Sequence, residues 1–81
     1  MKMPSAEFGH VSVTSSDGCT WTFTIREDGP VGERQRVFRL HGLDEIEGAL
    51  QIWAGRCEPF AKDMRHALRF AGSWTKLRSL R

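Results

Sequence analysis

The stretch CTWTFTIR, residues 19–26, constrains the fold of this chain most. Cys19, Trp21, Phe23 and Ile25 alternate with Thr20, Thr22, Thr24 and Arg26. A period of two in aromatic and β-branched residues specifies a strand with one dry face and one wet face. Such a strand needs neighbours in a sheet and a second layer over its apolar side.

The preceding segment, FGHVSVTSS, supplies the first neighbour as a strand near 8–15. A two-residue Asp17-Gly18 turn would put Val11 and Val13 on the wet face. A three-residue loop, Ser16-Asp17-Gly18, sets Val13 opposite Trp21 and Val11 opposite Phe23. That register gathers the apolar side chains on one side, with Gly18 left-handed at the end of the loop. EDGPVGE, with two glycines and a proline among acids, reads as a mobile loop. RQRVFRLH predicts a third strand near 34–41. Phe38 and Leu40 face inward there, Arg39 and His41 outward, and Arg36 lies inward near the strand's edge.

The period then changes. In GLDEIEGALQIWAG, Leu43, Ile46, Ala49, Leu50, Trp53 and Ala54 share one helical face, which predicts a helix near 44–54. Asp44 reads as its N-cap, Glu47 as the capping-box partner and Gly55 as its stop. In EPFAKDMRHALRFAG, Phe60, Met64, Ala67, Leu68 and Ala71 form one stripe, a second helix near 59–71. Pro59 fits its first turn and Gly72 its end. The tail SWTKLRSLR, 73–81, reads as a short helix or strand, with Trp74, Leu77 and Leu80 capping the core edge. The fold class is therefore α+β in a single domain, residues 1–81. An antiparallel three-stranded sheet, β-β-β, is covered by an αα-hairpin with a short basic C-terminal tail.

At 81 residues the core is small and the stability margin thin. The opening MKMPSAEFGH has no apolar leader, and no run is long enough to cross a membrane, which points to a cytoplasmic protein with no membrane partner. Cys19 and Cys57 accordingly read as free, buried thiols, against the alternative of one disulfide. No phosphate loop and no Gly-x-Ser-x-Gly element occurs. The cysteines and histidines lack metal-ligand spacing. Glu45 and Glu47 sit two apart on a helix and do not converge. Pairing Cys57 with His66 would require two segments separated by more than two helical turns. The expectation is a non-enzymatic protein with no catalytic residues, metal or cofactor.

Charge is unevenly placed. Residues 1–50 hold five Lys/Arg against eight Asp/Glu, and residues 51–81 hold seven against two. Such polarity bears on partners rather than on fold. On the second helix Lys62, Arg65, His66 and Arg69 lie almost opposite the apolar stripe, and Lys76, Arg78 and Arg81 continue the basic run. Phe70 falls outside the stripe, either as an interface anchor beside arginines or as a residue covered by Trp74. Lys62, Arg65, Arg69, Phe70, Arg78 and Arg81 form the first candidate binding set. Glu27, Asp28, Glu33, Asp44, Glu45 and Glu47 form a second, acidic set suited to a basic groove. A protein partner fits a two-signed surface best. Direct nucleic-acid contact through the basic set is the alternative. The chain reads as a monomer or as a homodimer paired through an edge strand such as 8–15.

The segments VSVTSSDGCTWTFTIRE (hairpin), VFRLHGLDEIEGALQIWAG (strand, then helix) and EPFAKDMRHALRFAG (second helix) cover most of the chain. In size and layout they resemble the small phage-encoded anti-CRISPR proteins. The resemblance implies an inhibitor that binds a nucleic-acid-processing host complex, such as a CRISPR effector subunit, and blocks it. It transfers no functional residue. The same layout is similar to bacterial immunity proteins.

Overall fold

The computed structural model describes residues 4–79. Four strands precede two helices: β1 (Ser5–Phe8), β2 (Val11–Ser15), β3 (Thr20–Gly29), β4 (Gly32–His41), α1 (Gly42–Ala54) and α2 (Ala61–Ser79). All neighbours are antiparallel, in the order β1-β2-β3-β4. The α+β class and the antiparallel sheet are as expected. The strand count is not.

The predicted strand 8–15 is two strands. The chain reverses at Gly9-His10, so that Phe8 pairs with Val11. Gly9 has φ 60°, the conformation of the first central residue in a type II′ hairpin turn. The His10 N–H donates to Asp63 Oδ2 at 3.1 Å, fastening this turn to the first turn of α2.

The β2–β3 register differs from expectation by two residues. Val13 pairs with Phe23, Val11 with Ile25 and Ser15 with Trp21. The same side chains still face inward, because a shift of two preserves the face. Side-chain hydrogen bonds lengthen the loop. Ser15 Oγ donates to the Thr20 carbonyl at 2.7 Å and accepts from the Gly18 N–H at 2.8 Å. Asp17 Oδ1 accepts from the N–H groups of Cys19 and Thr20 at 2.8 and 2.7 Å. Gly18 is left-handed, φ 80°, as the sequence predicts.

Those bonds to the Thr20 and Cys19 backbone hold the Asp17 carboxyl at a pKa of about 2, below its ordinary 3.8. A depressed carboxylate adds stability above the unfolded pKa and loses it as pH falls through the folded one. Asp17→Asn is therefore expected to lower the melting temperature at neutral pH. The gap to wild type should close between pH 3.8 and about 2. Paired thermal melts from pH 7 to pH 2 check this.

EDGPVGE is not a free loop. β3 and β4 run through it to a tight Pro30-Val31 turn between Gly29 and Gly32. Glu27 faces Arg34 across the hairpin and pairs with Arg36 at 3.5 Å. Opposite charges on facing positions let a polar sequence hold a ladder.

One face of the sheet carries the helices. Val11, Val13, Trp21, Phe23 and Ile25 meet Ile46 and Trp53 from α1 and Met64, Ala67, Leu68 and Ala71 from α2, all buried. Burying each large apolar side chain contributes roughly 1.5–3 kcal/mol. The other face is lined by Ser12, Thr14, Thr20, Thr22 and Thr24, none of them buried.

Both helices depart from their predicted ends. α1 starts at Gly42 with His41 as N-cap, and Glu45, not Glu47, reaches back to the His41 N–H at 2.8 Å. Asp44 lies inside the first turn, where its charge suits the helix dipole. α2 runs through Gly72 to Ser79, so the described part of the tail is helix rather than a separate element, and Leu80 and Arg81 lie outside the described residues. The continuing stripe explains this: Thr75 is buried, and its hydroxyl accepts the Trp21 Nε1–H at 3.0 Å. Glycine in a helix interior costs about 1 kcal/mol relative to alanine. A Cβ at Gly72 would sit an unstrained 3.6 Å from Ile46 Cγ2. Gly72→Ala should therefore raise stability by about 0.5–1 kcal/mol, read from urea unfolding midpoints.

Candidate protein-binding surface

α2 carries the basic candidates, but the fold gives them different tasks. Lys62 and Arg69 are exposed, with exposed His66 and Ser73 between and beyond them at helical spacing. Arg65 is half-buried. Its guanidinium donates to the Trp53 carbonyl at 3.0 Å and to the Arg56 carbonyl at 3.4 Å. It thus caps the C-terminus of α1, whose last turn has no basic residue of its own. Arg78 is exposed and lies over the β2–β3 turn, where a Cβ at Gly18 would come within 3.2 Å of its Cδ. Arg81 lies outside the described residues.

Phe70 is half-buried, not a bare anchor. It meets Trp21 edge-on with ring centroids 5.9 Å apart, Phe8 at 6.0 Å and Trp74 at 6.4 Å. His66 stacks on Phe8 at 6.1 Å. These rings seal the β1 side of α2. The aromatic residue that α2 leaves accessible is Trp74, 44% exposed, next to Leu77, 62% exposed. Because α2 does not stop at Gly72, Thr75 takes the inward position and turns Trp74 and Leu77 away from the core. Carrying the Phe60–Met64–Ala67–Ala71 period four residues further would have revealed this.

The result is a ridge of Lys62, His66, Arg69, Ser73, Lys76 and Leu77 flanked by Trp74. The helix's acid, Asp63, is turned to the β1–β2 turn, where it also meets His10 Nδ1 at 3.4 Å. On the α1 side, Arg69 and Lys76 share a groove of roughly 280 Å³ with Leu43, Ile46, Glu47, Leu50, Gly72 and Ser73.

The acidic candidates do not form one surface. Glu27, Asp28 and Glu33 lie at the far end of the β3–β4 hairpin, and Asp44, Glu45 and Glu47 lie on α1. The length of β4, about 30 Å at 3.3 Å per residue, separates the two groups. Glu27 is held by Arg36 and Glu45 by the His41 N–H. Asp28 and Glu33 face each other across the strands with like charge.

An open cleft of about 570 Å³ lies between the hairpin and the α1–α2 connection, lined by Arg26, Arg34, Glu27, Asp28 and Phe60 among others. It pairs no nucleophile with a base. Both cysteines are free thiols, and Cys57 is exposed in the α1–α2 connection rather than buried as the sequence suggested, with Cys19 half-buried. Among the described residues no group of three or more His, Cys, Asp or Glu is placed to hold a metal ion. No described helix is long and apolar enough to cross a membrane. No family model matches the chain, and neither a curated protein nor a solved structure shows significant similarity to it.

Proposed function

We propose that this chain is a non-catalytic protein-interaction module whose binding face is the α2 ridge. The observation that carries the reading is the pairing of two exposed large apolar side chains, Trp74 and Leu77, with exposed Arg78 one turn beyond Trp74 and the basic row of Lys62, Arg69 and Lys76 on the α1 side of Leu77. Accessible tryptophan beside arginine is the usual composition of an interface hot spot. The complementary partner is a protein surface with an apolar pocket rimmed by acids. The anti-CRISPR-like layout fits a partner that processes nucleic acid, blocked by occupation rather than by chemistry.

The test is capture on the tagged protein from a bacterial lysate, with nuclease and at low and high salt. A discrete protein should remain bound after nuclease treatment. Trp74→Ala and Arg69→Glu should each weaken its binding about 30-fold, the effect of losing a 2 kcal/mol hot spot. Circular dichroism confirms that both variants fold. The same basic ridge also suits phosphates. If only nucleic acid is retained, and salt releases it steeply, that second reading replaces the first.

A further inference from the structure

We infer that β4 is a homodimer interface, where two copies pair their β4 strands antiparallel about a twofold axis through Val37 and join two four-stranded sheets into one. This concerns a surface separate from the α2 ridge and does not depend on its function.

The two edges of the sheet are unlike. β1 is four residues long. β4 is ten residues long, exposed nearly throughout, and has no proline or break in register along its pairing with β3. Long, regular edges of that kind are templates for another strand.

The direction of the free backbone groups follows from the ladder. The Gly42 N–H donates to the Cys19 carbonyl at 2.9 Å, extending the β3–β4 pairing by one step. In an antiparallel ladder, residues bonded to the neighbour alternate with residues whose N–H and C=O point away. Counting back by twos, Leu40, Phe38, Arg36 and Arg34 bond to β3. Glu33, Gln35, Val37, Arg39 and His41 point outward. The His41 N–H is taken by Glu45. Among the described residues, no strand lies beside the outward groups of Glu33, Gln35, Val37 and Arg39.

Charge selects the register. Centring the axis on Gln35 sets Arg34 against Arg36, centring it on Arg36 sets that residue against itself, and centring it on Arg39 does the same there. Like charges directly opposite are destabilising. An axis through Val37 avoids every such pair. It places Glu33 against the partner subunit's His41, Gln35 against Arg39, and Arg36 against the ring of Phe38. Glu33 is then diagonal to the partner's Arg39. An axis through Phe38 also avoids like pairs but shortens the overlap and leaves Glu33 without a facing residue. The strand has its acid at one end and Arg39 and His41 at the other, and antiparallel self-pairing brings unlike ends together.

The apolar exposure gathers on the same edge. Val37 is 57% exposed on the face away from the helices and Phe38 39% exposed on the helix face. Ile52, 65% exposed, lies seven residues beyond Glu45 and so on the same side of α1, the side that Glu45 fixes beside His41. Pairing covers Val37 with its own copy and Phe38 with the aliphatic stem of Arg36.

Sedimentation across a concentration series reads the mass. The expected result is a species of twice the 9.2 kDa chain, dissociating on dilution. Val37→Pro removes only an outward N–H, so it should leave the β3–β4 ladder intact and weaken dimerisation at least tenfold. In a Cys19→Ser/Cys57→Ser background, oxidised Val37→Cys should cross-link to itself across the axis, and Phe38→Cys should do so far less. Should Val37→Pro fail to fold, the cross-link alone decides. A monomer at every concentration overturns the inference, including one that gains mass only with a foreign extended peptide. So does a dimer that survives Val37→Pro without the Val37→Cys cross-link, and so does preferential cross-linking at residue 38.

Discussion

Trp21→Ala is expected to remove most of the stability of this domain and to bring it close to its unfolding transition at room temperature. Trp21 is fully buried at the centre of the sheet. It pairs with Ser15 and Leu40 on either side and meets Phe70 edge-on. Truncating a buried tryptophan costs about 3–5 kcal/mol through lost burial and the cavity left behind. A domain of this size sits near the low end of the 5–15 kcal/mol range typical of folded proteins. The cavity also loosens Phe70, and with it the rings of Phe8 and Trp74 that meet it edge-on. Urea unfolding followed by near-ultraviolet circular dichroism reads the loss. Thr75→Val separates packing from polarity. It keeps the volume but leaves the Trp21 N–H buried without an acceptor, a cost of about 1–3 kcal/mol. If Trp21→Ala unfolds with a midpoint near that of wild type, the core is not organised around this residue.

The prominence of Trp21 was legible because strand periodicity is local. CTWTFTIR specifies its own inward face, and the inward faces of residues 11–13 and 38–40 follow from pairing with it. Both helical stripes were legible for the same reason. What escaped was punctuation. Gly9 reads as part of a strand because FGHV offers no Asn-Gly or Asp-Gly signal, and its turn is completed by Asp63, fifty-four positions along the chain. Local propensity makes Gly72 a helix end, whereas burial of Thr75 beneath Trp21 carries the helix onward. Pro30 and two glycines suggested a loose loop, yet facing Glu27 and Arg34 extend the ladder to the turn. The candidate surface was half-legible. Lys62 and Arg69 are exposed as predicted, but Arg65 is drawn to the end of α1 and Phe70 beneath Trp74. Cover of Phe70 by Trp74 is one of the two readings its own helix offers, but Arg65's partners at the end of α1 and Phe70's partners Phe8 and Trp21 on the sheet lie beyond the reach of one helix's periodicity.

Gly9→Val should destabilise the domain by about 3 kcal/mol, from two separable causes. The first is backbone strain. Gly9 has φ 60°, and a side chain in the left-handed region costs about 1–2 kcal/mol, more when β-branched. The second is collision. A Cβ at this position would come within 2.8 Å of Asp63 Cγ. Asp63 would have to swing away, giving up its bonds to the His10 N–H and ring. That contact ties the β1–β2 hairpin to α2, so its loss frees the short edge strand β1 as well. Asp63→Ala removes the obstruction but not the strain. In that background Gly9→Val should cost only the backbone part, and the double-mutant cycle should return a coupling of at least 1 kcal/mol. Additive effects would mean that the hairpin and the helix are not held together by this contact. Hydrogen exchange at Ala6 and Phe8 gives the local reading. Both amides should lose protection in Gly9→Val before the Trp21 and Phe23 amides do, because β1 is held at the edge through this turn while β3 is held by the core.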